Sequence, residues 1–305
     1  MNCDLCKKRE AFYRRIHEGI ALCSICFKNN IEKKVKSTIS KYKMFEPNDH
    51  IALALSGGKD SLTLLMILNK LEKRFPHSKL TAITIDEGIK GYRDEAIELA
   101  KEYCSSMNID HFIISFKELF GFELDEIVKI GGDLSPCAYC GVLRRRAIDK
   151  AAKIVKSTKI ATAHNLDDEA QTILLNLFNG DIAKMARIDP VLKDPNGKFL
   201  VRVKPLCEIM EKEIALYAYL KGIKFQSIPC PYVTTSLRND IRNMLNRLDE
   251  KHPGIKYIVY RSAQKIKDSL KTTLKKFELK TCMICGEVTT NEVCKVCTMI
   301  KEISK

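Results

Sequence analysis

The stretch that most constrains this chain is a six-residue loop, Ser56-Gly57-Gly58-Lys59-Asp60-Ser61. It stands between five consecutive apolar residues at 51–55 and a segment carrying Leu62, Leu65, Leu68 and Leu71 at helical spacing. A continuous apolar run is what a strand buried on both faces of a parallel sheet requires, so the loop sits where a strand hands over to a helix. Free backbone N–H groups and the helix N-terminus make an anion site there, and the glycines let the backbone approach a phosphate. The spacing fits neither G-x-x-x-x-G-K-[ST] nor G-x-G-x-x-G. A plain glycine turn is the competing reading.

Beyond the loop, apolar runs alternate with amphipathic segments. Strands are expected at 80–85, 111–115, 159–163 and 199–203, with helices near 93–106, 141–156 and 166–178. That order predicts an α/β fold, a Rossmann-like parallel sheet with right-handed crossovers and helices on both faces. Ligands of such sheets lie beyond the carboxyl ends of the strands, which nominates Ser56, Asp86 and His164. His164 opens the run His164-Asn165-Leu166-Asp167-Asp168-Glu169-Ala170-Gln171-Thr172. Paired carboxylates at a helix start serve equally as caps or, beside the loop, as groups that hold ATP through magnesium.

Thirteen cysteines, most in C-x-x-C pairs, point to metal or sulfur chemistry and away from a disulfide framework. Cys3, Cys6, Cys23 and Cys26 form one set, and Cys282, Cys285, Cys294 and Cys297 a second, each with the four thiols of a closed structural zinc site. Free thiols paired by coincidence are the alternative reading. Between them, Cys137, Cys140 and Cys230 supply three thiols, the set expected of an iron–sulfur cluster with one open corner. A persulfide carrier near Arg144 competes with that reading, as does a purely structural role. Cys104 and Cys207 fall in apolar patterns and read as core residues.

These boundaries divide the chain into an N-terminal zinc-binding module (1–30), a Lys-rich linking helix (31–48), a catalytic domain (49–255), a basic helical segment (256–280) and a C-terminal zinc ribbon (281–305). A length of 305 residues accommodates about two domains at roughly 150 residues each. The net charge of +14 predicts attraction to a polyanion, nucleic acid first and an acidic small substrate as the alternative. No apolar run reaches the roughly 18 residues of a membrane span and the start lacks a secretory pattern, so a cytoplasmic protein without membrane partners is expected.

The loop matches S-G-G-x-D-S, the pyrophosphate loop of the ATP-pyrophosphatase (PP-loop) superfamily. In order along the chain, a zinc module, S-G-G-K-D-S, C-A-Y-C-G, H-N-L-D-D-E-A-Q-T, a late C-P-Y and a second zinc module resemble the TtuA/NcsA family of tRNA 2-thiolation enzymes, over essentially the whole chain. The resemblance implies a homodimer and a 4Fe-4S cluster on Cys137, Cys140 and Cys230. It also implies ATP near Ala54, Ser56, Lys59, Asp60, Ser61 and Ile85, and Asp168 as the catalytic or metal-positioning carboxylate. The catalytic set expected is thus Cys137, Cys140, Cys230, Asp168 and Arg144. ATP is expected against the loop, Gly57 and Gly58 included, with Ile85, Asp86 and His164. Relatives often carry Lys where this chain has Arg144, a change that preserves a charge clamp but not proton transfer.

The chemistry expected is adenylation of a tRNA uridine at its C2 oxygen, then replacement of that oxygen by sulfur from free sulfide or a ubiquitin-like thiocarboxylate carrier. The wobble uridine of Lys, Glu and Gln tRNAs is favoured over the T-loop uridine, because the composition carries few thermophile traits. Lys33, Lys34, Arg145, Arg146, Arg238 and Arg242 are the expected RNA contacts. The rivals are cluster-free persulfide transfer, an amide-forming ATP pyrophosphatase and a non-enzymatic zinc-ribbon RNA binder.

Overall fold

The computed structural model describes residues 1–193, 199–233, 236–273 and 280–304. A hairpin of β1 (Tyr13–Arg15) and β2 (Ile20–Leu22) leads into α1 (Ser24–Lys41). There follow β3 (His50–Ala54), α2 (Lys59–Glu72), β4 (Lys79–Asp86), α3 (Arg93–Met107), β5 (Asp110–Ser115), α4 (Phe116–Phe120), α5 (Leu124–Ile130) and α6 (Pro136–Ile154). The second half contains β6 (Lys159–Ala161), α7 (Leu166–Phe178), α8 (Ile182–Met185), β7 (Val191–Leu192), β8 (Val201–Val203), α9 (Glu211–Lys221), α10 (Leu237–Lys251) and α11 (Ile255–Thr273). A hairpin of β9 (Lys280–Thr281) and β10 (Val288–Thr289) and a final helix, α12 (Lys295–Ile303), complete it.

Six strands form the central sheet in the order β5-β4-β3-β6-β8-β7, parallel except for the antiparallel edge pair β7–β8. The chain builds outward from β3 in one direction and then, through β6, in the other. A crevice therefore opens between the carboxyl ends of β3 and β6. Alternation along β3 shows why its apolar run is continuous: Ile51 and Leu53 enter the core on one face, Ala52 the core on the other.

Each face carries one of the cysteine modules. On the first, Cys3, Cys23 and the α1 residues Phe27, Ile31 and Val35 share a core with α2 and α9. On the second, Cys282, Cys294, Cys297, Met299 and Ile303 share a core with Tyr139, Cys140 and Leu143 of α6. A buried ion pair ties the first module down: Arg15 and Glu213 are both fully buried, with Nε 2.5 Å from Oε1.

Three expected boundaries are corrected. The linking helix, expected over 31–48, is α1 and begins at Ser24, inside the N-terminal module, because the Cys23 sulfur accepts from Cys26 N and caps it. It ends at Lys41, and Lys43 turns left-handed at φ 47°. The helix expected near 141–156 starts at Pro136, with Ser135 as N-cap and proline in the first turn, which puts Cys137 and Cys140 on the helix itself. The strand expected at 199–203 is confined to Val201–Val203. Of the basic segment 256–280, α11 covers Ile255–Thr273, and 274–279 lie outside the described residues. No described helix is long and apolar enough to cross a membrane.

Candidate active site

At the end of β3 the loop folds on itself. The Ser61 hydroxyl donates to the Gly58 carbonyl at 2.9 Å and accepts from Ser56 N at 3.2 Å and Ser56 Oγ at 3.1 Å. Gly57 has φ 80°, and a Cβ there would lie 2.5 Å from the Ala96 carbonyl oxygen of α3. Only glycine satisfies both the left-handed backbone and that close approach. Gly58 is the N-cap of α2 and makes no side-chain cap, so the helix start is left open to an anion.

A cleft of about 440 Å³ lies over this loop, lined by Ala54, Ser56, Gly58, Asp60 and Ser61 from its floor, Ile85 from β4, and His164 and Asp168 beyond β6. Of the residues expected to meet ATP, Gly57, Lys59 and Asp86 are not part of the lining. Asp86 instead accepts from Gly88 N at 2.9 Å and shapes the turn. Lys59 bridges Asp60 (3.0 Å) and Glu211 (2.7 Å). Burial, opposed by Lys59 and reinforced by the charges of Asp168 and Glu211, pushes the Asp60 carboxyl up. Asp168 is likewise raised by burial, although its carboxylate accepts from Asn165 N at 3.1 Å in a capping box. Such a crowded carboxylate pair is what a bound cation would relieve. Burial, with Lys204 nearby, pushes His164 down to about 4, so its ring is neutral at pH 7.

The opposite wall holds residues that sequence reasoning missed. Glu87, 2 % exposed, lies with Oε2 2.7 Å from Arg93 Nε and Oε1 2.6 Å from Arg144 Nε. Arg93 also donates to the Ser56 carbonyl (2.9 Å) and to the Ile85 carbonyl (2.6 Å), pinning the ends of β3 and β4 together. Arg144 donates through Nη2 to the Cys140 sulfur at 3.0 Å. Glu87, Arg93 and Arg144 all line the cleft, with Tyr92 and Gln226.

Cys140 is buried on α6, and burial pushes its thiol up to about 11 despite Arg144. Cys137, one turn earlier, is exposed and donates to the Tyr232 carbonyl at 3.4 Å. The segment carrying Cys230 is thereby docked on α6, and the Tyr232 hydroxyl anchors it further by donating to Asp125 at 2.7 Å. Cys230 packs against the same core as Cys140. Cys104 and Cys207 are buried elsewhere in the other core, as expected of structural residues.

The two cysteine tetrads each bring four sulfurs within 4.8 Å of one another, close enough to hold a metal ion. Burial pushes Cys3 up, but the N–H groups of Cys6, Cys23 and Leu5 outweigh it and hold the thiol at about 6. N–H groups of Cys294 and Cys285 bring Cys282 to about 6 in the same way. Cys137, Cys140 and Cys230 are not such a group, among the described residues.

The expected RNA contacts divide. Lys33 and Arg242 are exposed. Lys34 pairs with Glu18, and Arg146 with Glu287 of the C-terminal module at 3.5 Å. Arg145 is exposed. Arg238 donates to Thr172 at 3.1 Å, and with Arg242 it counters the charge of Asp168.

Comparison with known proteins agrees with this geometry. The ATP_bind_3 PP-loop domain family matches residues 27–248. The chain is 35% identical over 320 residues to the tRNA 2-thiolation protein NcsA of Haloferax volcanii, covering 99% of each. It is 38% identical to a probable sulfurtransferase of Methanocaldococcus jannaschii, over 97% of this chain and 86% of that one. The structure of the U34-tRNA thiolase NcsA from Methanococcus maripaludis, solved with its [4Fe-4S] cluster, superposes with a TM-score of 0.86 at 36% identity, covering 99% of this chain and 96% of the other. A loop open to a phosphate, a cysteine held by an arginine of the same cleft and matches spanning nearly the whole length lead to one conclusion: the chain belongs to the PP-loop family of tRNA 2-thiolation enzymes.

Proposed function

We propose that this protein is an ATP-dependent tRNA-uridine 2-thiolase acting on the wobble uridine. The observation that carries the reading is Arg144, whose side chain lines the cleft above the phosphate loop while Nη2 donates to Cys140. Nucleotide and sulfur chemistry thereby meet at one side chain. The wobble position is supported by the U34 specificity in the name of the Methanococcus maripaludis thiolase.

In this mechanism the triphosphate lies on Ser56, Gly58 and Ser61 at the start of α2, and Asp60 and Asp168 hold magnesium against it. The C2 oxygen of a flipped-out uracil attacks the α-phosphate, and pyrophosphate leaves. A sulfur nucleophile then attacks C2 and AMP departs. A 4Fe-4S cluster held by Cys137, Cys140 and Cys230 would supply an open iron for that sulfur, and zinc would fill the two tetrads. Arg144 and Arg93 offset charge on the phosphates, and neutral His164 adds none. The [4Fe-4S] cluster of the Methanococcus maripaludis thiolase favours the cluster over persulfide transfer. Lys33, Arg145, Arg238 and Arg242 are the residues proposed to hold the tRNA backbone, with two copies of the chain per assembly, in the cytoplasm.

The test is anaerobic incubation of cluster-loaded protein with tRNA, ATP, magnesium and sulfide, followed by nucleoside mass spectrometry. The expected result is 2-thiouridine with AMP and pyrophosphate in equal amounts, lost in Cys230→Ala. Thiolation that persists in Cys230→Ala would overturn the cluster assignment, and no 2-thiouridine from the wild type would overturn the function.

A further inference from the structure

Glu87 is a buried carboxylate with no role in the chemistry above, and its position is unusual. Its two oxygens face two different arginines, Arg93 at 2.7 Å and Arg144 at 2.6 Å. Each arginine reaches onward: Arg93 to the carbonyls of Ser56 and Ile85 at the nucleotide loop, Arg144 to the sulfur of Cys140. The carboxylate is itself fixed by its backbone, since the Glu87 carbonyl accepts from Leu124 N at 2.8 Å. Arg93 is already fixed by two backbone carbonyls, and the carboxylate paired with it restrains Arg144, whose long side chain is 47 % exposed.

We propose that Glu87 is a positioning residue that holds Arg144 on Cys140 from the nucleotide side, joining the phosphate loop and the sulfur site through a chain of charges whose centre, Glu87, is buried. It acts through Arg144, not on substrate. Its carboxylate also cancels one of two positive charges facing the nucleotide, so its removal should affect turnover and ground-state binding in opposite directions. The turnover part rests on the thiolase reading; the nucleotide-binding part does not.

The experiment is a cycle of wild type, Glu87→Gln, Arg144→Gln and the double variant, as full-length anaerobic protein. Calorimetry gives Kd for ATP with magnesium, and tRNA thiolation gives kcat. Glu87→Gln should lower kcat about tenfold, as expected of a misplaced group near the chemistry, while Kd for ATP tightens. Glu87→Asp, which keeps the charge but reaches only one guanidinium, should recover part of that loss. The double variant should match Arg144→Gln within about twofold in both quantities. Effects that multiply in the double variant, or a Kd that rises in step with the fall in kcat, would overturn the proposal. If Glu87→Gln does not fold, Glu87→Asp carries the test: kcat below wild type at unchanged Kd supports it, and wild-type kcat overturns it. A wild-type chain that binds ATP but thiolates no tRNA defeats the thiolase reading alone. The Kd cycle then decides for Glu87, non-additivity supporting it and additivity overturning it.

Discussion

Single residues set the limits of the nucleotide cleft. Gly57→Ala forces a Cβ against the Ala96 backbone at a positive φ, and should cost about 2 kcal/mol or more in urea denaturation while abolishing ATP binding. Wild-type stability with lost ATP binding would assign Gly57 to ligand approach alone. His164, held near 4 against an ordinary 6.5, gives a pH signature. Below about 6.5 the unfolded chain takes up a proton that the folded chain refuses, so stability falls as pH drops from about 6.5 to about 4. His164→Gln should flatten that decline, leaving the part due to His50 and His111, which burial also lowers. An unchanged acid slope in thermal melts would show that His164 is solvated. At this scale the sequence was legible where chemistry is local: Ser56, Asp60, Ser61 and both tetrads announce themselves within a few residues. Glu87 and Arg93 did not, because what ties their pair to the cleft, Arg144 and Ser56, lies far along the chain. Asp86 stood in for Glu87 because alternation at a strand end decides which neighbour faces the cleft, and a one-residue shift reverses it.

At the scale of elements, α6 joins the C-terminal tetrad to the sulfur site. Cys282, Cys297 and Met299 share a core with Tyr139, Cys140 and Leu143, and Lys153 and Arg146 both reach Glu287. Cys285→Ser should therefore release one equivalent of metal and speed amide exchange across Pro136–Ile154 while leaving α1 protected. Exchange that quickens equally in α1, or not at all in α6, would sever that link. Five strands of the central sheet and the helices between them were readable from apolar patterning, but their order across the sheet was not. The start of α6 was carried by Ser135-Pro136, a capped first turn with proline, which periodicity alone overlooks. The two-residue β7 is too short for any pattern to register, and it pairs antiparallel at the edge.

For the whole molecule, the excess of +14 charges predicts that tRNA affinity drops about a hundredfold or more between low and moderate salt, because phosphate contacts release counterions. A flat dependence in filter binding would contradict RNA recognition by charge. Composition predicts the attraction but not its place, since Lys34 and Arg146 are engaged in ion pairs within the chain. The buried contact between Arg15 and Glu213 carries a last consequence, for synthesis on the ribosome. Its partners are 198 residues apart, and Phe27, Ile31 and Val35 of α1 pack against the same late region. At about 5–20 residues per second, the first module waits roughly 10–40 s for the surface that covers it. During that interval an apolar helix face is open to solvent and Arg15 has only its local partners Glu18 and Asn30, so newly made chains are most prone to aggregate before the sheet has closed over their own beginning.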